Sequence, residues 1–213
     1  MTTEASLREE ICRVGQSLFD RGYTVGSAGN ISARLPDGWL ITPTDACLGR
    51  LDPARLSKMG ADGEQISGDR ASKTIRLHRA IYDADPAVGG IVHTHSTHLV
   101  ALSLTPGVDP ANIIPPLTPY HVMKAGRIPL IPYMRPGHPD VTGLVAPHVR
   151  AGRGVMLGRI GPTFWHETVS AAAAALEEAE ETAKLVFLTR GAVLPPLDEN
   201  QIADLRETFG ARW

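Results

Sequence analysis

Cysteine is nearly missing from this chain. Cys12 and Cys47 are the only two in 213 residues. That excludes a disulfide-stapled scaffold and a cysteine zinc ribbon, and it points to a reducing cytoplasm. Aromatics are sparse at 5%. No apolar run approaches the roughly 20 residues needed to span a bilayer. No basic stripe exists either. Formal net charge is -2, with both signs scattered, so nucleic-acid binding is not expected. The start, MTTEASLREE, lacks the basic and apolar blocks of a leader peptide. These absences leave a soluble cytoplasmic protein with no membrane partner. At 43% hydrophobic residues, residues 1–213 read as one domain.

What is present is a mixture of both periods. Leu7, Ile11, Val14 and Leu18 recur at helical spacing behind Ser6, predicting a helix over 6–21. Short strands are expected at 30–34 and 39–42, on either side of Pro36-Asp37-Gly38. A second helix is expected over 72–84 and a buried strand over 89–92. Ser96 reads as the cap of a short helix over 99–104. Segments 122–126 and 128–133 read as sheet, 140–151 as helix, 154–157 as strand, and 167–188 as an Ala- and Glu-rich helix. Interleaved strands and helices predict a layered α/β fold.

The strand over 89–92 runs into His93-Thr94-His95. Side chains two apart on a strand share a face, so two imidazoles can converge on one divalent ion. The same spacing also occurs in ordinary strand ends, and a metal site wants a third ligand. His78 and His98 fall on expected helices and read as packed histidines, while Trp39, Trp165 and Trp213 read as core or interface groups.

Four tracts occur in order: GSAGNIS at 26–32, ITPT at 41–44, Ser72 ahead of a helix, and VHTH at 92–95. Together the chain resembles the class II aldolase/adducin family. The tracts SLREEICRVGQSLFDRGYTVGSAGNIS, CLGRLDPARLSKMGADGEQISGD and LEEAEETAKLVF are most similar to its 3-oxo-tetronate 4-phosphate decarboxylase branch. The resemblance implies a three-layer α/β/α sandwich with a central, mostly antiparallel sheet. It implies a divalent metal, zinc or manganese, on His93 and His95. It implies a phosphate pocket at Gly29, Asn30, Thr44, Asp45, Ser72 and Lys73, and a homotetramer with sites at subunit boundaries, to which the segment 197–213 can contribute.

Three departures from the family pattern carry chemical meaning. The third histidine of the family is Ile160, within Arg159-Ile160-Gly161-Pro162; His138, His166 and Asp45 are substitute candidates. The acid/base glutamate of the family is Thr74. An aldolase must abstract a proton beside a carbonyl and needs a base, whereas a β-keto acid losing carbon dioxide does not. Lys73, in place of a serine, is placed to hold phosphate or the departing carboxylate, and Tyr120 is the candidate proton donor. The implied reaction is decarboxylation of a phosphorylated 3-oxo four-carbon sugar acid to dihydroxyacetone phosphate. A sugar-phosphate aldolase or epimerase is the first alternative. A non-catalytic, adducin-like binding module is the second, to which Ile160 counts.

Overall fold

The computed structural model describes residues 3–189, 192 and 194–213. Met1 and Thr2, at the head of the tract read as lacking a leader, lie outside them. Among the described residues no helix is long and apolar enough to cross a membrane.

Eight strands form one sheet in the order β4-β3-β2-β1-β5-β8-β7-β6. They are β1 Asn30–Leu35, β2 Gly38–Ile41, β3 Ser57–Gly60, β4 Gln65–Ser67, β5 Gly90–His93, β6 Leu130–Ile131, β7 Gly154–Leu157 and β8 Gly161–His166. All pairs are antiparallel except β6 with β7. The helices are α1 Glu4–Asp20, α2 Ile75–Ala84, α3 Thr97–Ser103, α4 Val141–Val145, α5 Val169–Leu188 and α6 Glu199–Phe209.

The central strands send apolar side chains both ways, so they read as continuous runs rather than alternations. Ile31, Leu40, Val92, Met156 and Phe164 pack with α1, α3 and α5. Trp39, Ile41, Ile91, Val155 and Trp165 pack with α2 and α4. Helices on both faces of one sheet make the expected three-layer sandwich. Each fully buried large side chain contributes about 1.5–3 kcal/mol.

Strand β1 departs from this pattern on one face only. Ile31 and Ala33 face α1 and α5, while Ser32 and Arg34 face α2. The Arg34 guanidinium donates to the carbonyls of Val88, Tyr82 and Asp85 at 2.6, 2.8 and 3.1 Å. It thereby fastens β1 to the C-terminal end of α2.

Several boundaries differ from expectation for local reasons. Helix α1 starts earlier than 6, because Thr3 and Ser6 form a reciprocal capping box. Ser96 does not cap α3: its hydroxyl meets Thr94 and the Tyr23 carbonyl. Buried Glu180 of α5 takes the helix N–H groups of His98 and Leu99 instead, each at 2.9 Å. Residues 121–125 form a π-helical turn, not sheet, ended by Gly126 at φ 69. Strands β3 and β4 are too short and polar to declare themselves. Strand β8 hides behind a Gly-Pro start, and α6 behind a weakly periodic tail.

His121 lies in that π-helical turn, fully buried against Trp213, with neither ring nitrogen hydrogen-bonded among the described residues. Burial pushes its pKa down to about 4 from 6.5. The unfolded chain therefore binds a proton first as pH falls. Stability from this group is complete above about pH 6.5 and drains away toward pH 4, with about 2 kcal/mol gone by about pH 5. The melting temperature of His121→Phe is expected to drop less between about pH 7 and pH 5 than that of the unaltered chain. Parallel curves in a thermal-shift series would refute this.

Candidate active site

The site begins with strand pairing. Asn30 at the start of β1 is the antiparallel partner of His93 at the end of β5, and His93 is the partner of Thr163 on β8. Three polar residues thus sit in a row across the sheet, on the α2 face. Gly29, just before Asn30, has φ +88, and a Cβ there would lie 2.7 Å from the His93 carbonyl oxygen. Only glycine allows this close backbone approach.

His93 donates from Nδ1 to the Pro162 carbonyl at 2.8 Å, with Thr163 Oγ1 at 3.1 Å. This fixes its tautomer and leaves the Nε2 lone pair free. The strand ends at His93, so His95 is not its strand-face neighbour as the spacing suggested. The rings still meet, with centroids 5.3 Å apart and planes at 71°. Burial, then the neighbouring His95, pushes His93 down to about 3; burial also lowers the more open His95. Both imidazoles are neutral at pH 7, the form that binds a cation.

They open on a cavity of about 230 Å³. The isolated pairing of Pro43 with Ala71 brings the loop after β2 against the loop before α2. Thr44 and Asp45 therefore line the cavity beside Ser72, Lys73 and Thr74. Asp45 takes φ 58, a left-handed conformation that aspartate tolerates better than most residues. Its carboxylate lies 3.7 Å from Lys73 Nζ. Ser72 Oγ and Thr74 Oγ1 are 3.0 Å apart. Gly29 and Asn30 complete this polar wall, and Arg76 and Arg135 add cationic groups that the motifs did not flag. Pro132, Met134, Val141, Leu157 and Ile160 form an apolar wall.

Two sequence candidates are placed away from the cavity. His166 lies at the far end of β8, against Arg153 and Glu167, in a separate hollow. A six-residue strand separates it from Gly161, so it cannot join His93 and His95 within one chain. Tyr120 is exposed beside Tyr23, Lys124 and Glu178, in another hollow. His138 does line the cavity, with its Nδ1 accepting from the Asp140 amide at 3.2 Å. His78, read as a packed histidine, is fully buried and also lines the cavity. It follows the family's glutamate position by four residues, yet its place at the site was not legible locally, because its partners Asn30 and Ser32 are more than forty residues away.

Among the described residues no three His, Cys, Asp or Glu side chains gather into a group that could hold a metal ion. The donor set is two imidazoles, one anchored through Nδ1 and both open to the cavity. That set fits a divalent ion whose remaining positions go to water and substrate oxygens.

The model for the Class II Aldolase and Adducin N-terminal domain matches residues 9–187. The chain belongs to the class II aldolase/adducin family. This family is divalent-metal dependent. The 3-oxo-tetronate 4-phosphate decarboxylase of Cupriavidus necator is 58% identical, covering 100% of both chains. The protein of the same name from Escherichia coli strain K12 is 47% identical over 95% of this chain and 96% of its own. The crystal structure of YgbL from Escherichia coli superposes with a TM-score of 0.92 at 46% identity, covering 95% of this chain and 99% of that one. The sandwich is thus the class II aldolase fold.

Within that fold Gly161 holds the histidine segment in place. A Cβ on it would lie 1.9 Å from the Thr94 carbonyl oxygen and 3.1 Å from His95 Cα. Gly161→Ala is expected to cost about 1–3 kcal/mol and to displace His95. Gly143→Ala, inside helix α4 where a Cβ meets nothing within 4 Å, is expected to be neutral or stabilising by up to about 1 kcal/mol. Melting temperatures and metal retention of the two variants check this, and matched values would refute it.

Proposed function

We propose that this chain is a metal-dependent carboxy-lyase that converts a 3-oxo-tetronate 4-phosphate to dihydroxyacetone phosphate and carbon dioxide. The observation that carries the reading is the absence of a free carboxylate among the described cavity-lining residues. Asp45 faces Lys73, and Thr74 stands where the family's glutamate would be. A threonine hydroxyl is no general base at neutral pH. The cavity suits a reaction whose electron pair comes from breaking a carbon–carbon bond, not from removing a proton.

The two walls divide the substrate. Asn30, Thr44, Ser72 and Lys73, with Arg76 and Arg135 nearby, take the phosphate through amide, hydroxyl and cationic donors. His93 and His95 would hold one divalent ion, zinc or manganese, which would supply positive charge where negative charge develops on the substrate oxygens. Ile160, Leu157 and Val141 face the carboxylate. An apolar wall solvates a carboxylate poorly and accommodates carbon dioxide well, so it favours departure. Ile160 is then a working part of the site, not merely a lost ligand.

The chain acts as one domain over residues 1–213, in the cytoplasm, as a homotetramer. Tyr120, distant from the cavity within one chain, delivers its phenolic proton to a neighbouring subunit's cavity.

Elemental analysis of untagged protein is expected to find about one divalent ion per chain. His93→Ala/His95→Ala should lose it, together with carbon dioxide release from the substrate, by about 100-fold or more. No metal in either protein after incubation with zinc or manganese would sink the reading. Retro-aldol cleavage in place of carbon dioxide release would favour the aldolase alternative. Ile160→His is expected to tighten metal binding in titration calorimetry while slowing decarboxylation, and a faster variant would contradict the apolar-wall role.

A further inference from the structure

His78 is a buried histidine with both ring nitrogens engaged, set between the core and the cavity. Tyr82 Oη lies 2.8 Å from Ser32 Oγ. Ser32 Oγ lies 2.7 Å from His78 Nδ1, and His78 Nε2 lies 2.6 Å from Asn30 Oδ1. Ser32 and His78 are 0% exposed, Tyr82 3% and Asn30 5%.

We propose that His78 is a positioning residue, the middle of a one-way hydrogen-bond relay that locks the Asn30 side-chain amide with its N–H groups facing the cavity. The inference rests on the reading of that wall as the phosphate site and adds how its amide donor is held.

The direction follows from what each atom can do. The amide oxygen of Asn30 only accepts, so His78 Nε2 carries the proton. The neutral ring then presents a lone pair at Nδ1, and Ser32 donates to it. With its proton committed, Ser32 Oγ accepts from Tyr82. Every side-chain polar atom joining Tyr82, Ser32, His78 and Asn30 Oδ1 is satisfied in this order. The reverse order leaves the Tyr82 hydroxyl, buried, with no acceptor among the described residues, which is unfavourable. A flipped Asn30 would set its N–H₂ against the His78 N–H, donor against donor. One order survives, and it leaves the Asn30 amide nitrogen aimed at the cavity with no protein acceptor among the described residues.

Burial supports the neutral ring by pushing the His78 pKa down to about 3. Because both nitrogens are occupied, His78 is neither a metal ligand nor a base. The relay ends beside the metal pair, since Asn30 is the strand partner of His93. A donor held before substrate arrives loses no orientational freedom on binding, which is where its affinity comes from.

The test titrates metal-loaded protein with dihydroxyacetone phosphate by calorimetry, alongside steady-state kinetics. Asn30→Ala and His78→Leu are each expected to weaken binding about tenfold, and the double variant no further than either alone. KM should rise more than kcat falls. His78→Gln, whose side-chain amide can still donate to Asn30 Oδ1, should restore most of the affinity. Tyr82→Phe, which frees Ser32 without emptying the site, should give a smaller loss with the fold intact. Unchanged affinity in His78→Leu, or additive losses in the double variant, would overturn the relay. So would failure of a folded His78→Gln to recover binding. Unchanged affinity in Asn30→Ala would instead remove phosphate from this wall, overturning the functional reading beneath the relay.

Discussion

The pairing of β1 with β5 is the constraint on which the site depends. It sets Asn30 directly across from His93, and Gly29 makes the approach possible by carrying no side chain. Slipping this register by one residue would turn both side chains into the opposite layer, among Ile31 and Val92. The histidine pair, the polar cavity wall and the hydrogen bonds through His78 all presuppose the register seen here.

The sheet's second face fixes the register. Ile31, Ala33 and Val92 are buried against α1 and α5, so β1 and β5 cannot rotate without exposing them. The α2 face is then free to carry polar groups, provided each finds a partner. Ser32 finds His78 and Tyr82, and Arg34 finds three carbonyls. Apolar clusters on both faces supply stability, and the hydrogen-bonded groups set into the α2 face supply precision.

The cavity's chemistry follows from which groups are left over. Neutral imidazoles face it, Asp45 is answered by Lys73, and an isoleucine occupies the corner beside Gly161. Two imidazoles able to hold a cation beside an apolar wall, with no free carboxylate among the described lining residues, suit loss of carbon dioxide better than proton removal by a carboxylate base.

The family, the layered fold and most of the cavity's polar wall were legible in the order of residues. Each of those is written in short contiguous tracts, such as GSAGNIS and VHTH, where glycine conformation and strand spacing act locally. That order also exposed the missing glutamate and the missing third histidine, because absence at a fixed position is legible. The packing of helices on the sheet sets His166 and Tyr120 away from the cavity of their own chain and brings Asp45 to Lys73. It alone decided that Glu180, not Ser96, caps α3. It also revealed that Arg76, Arg135 and His78 belong to the site. These depend on contacts between residues far apart in the chain, set by how helices dock on the sheet. Local periodicity carries no record of such docking, which is chosen by burial and by the need to pair every buried polar atom.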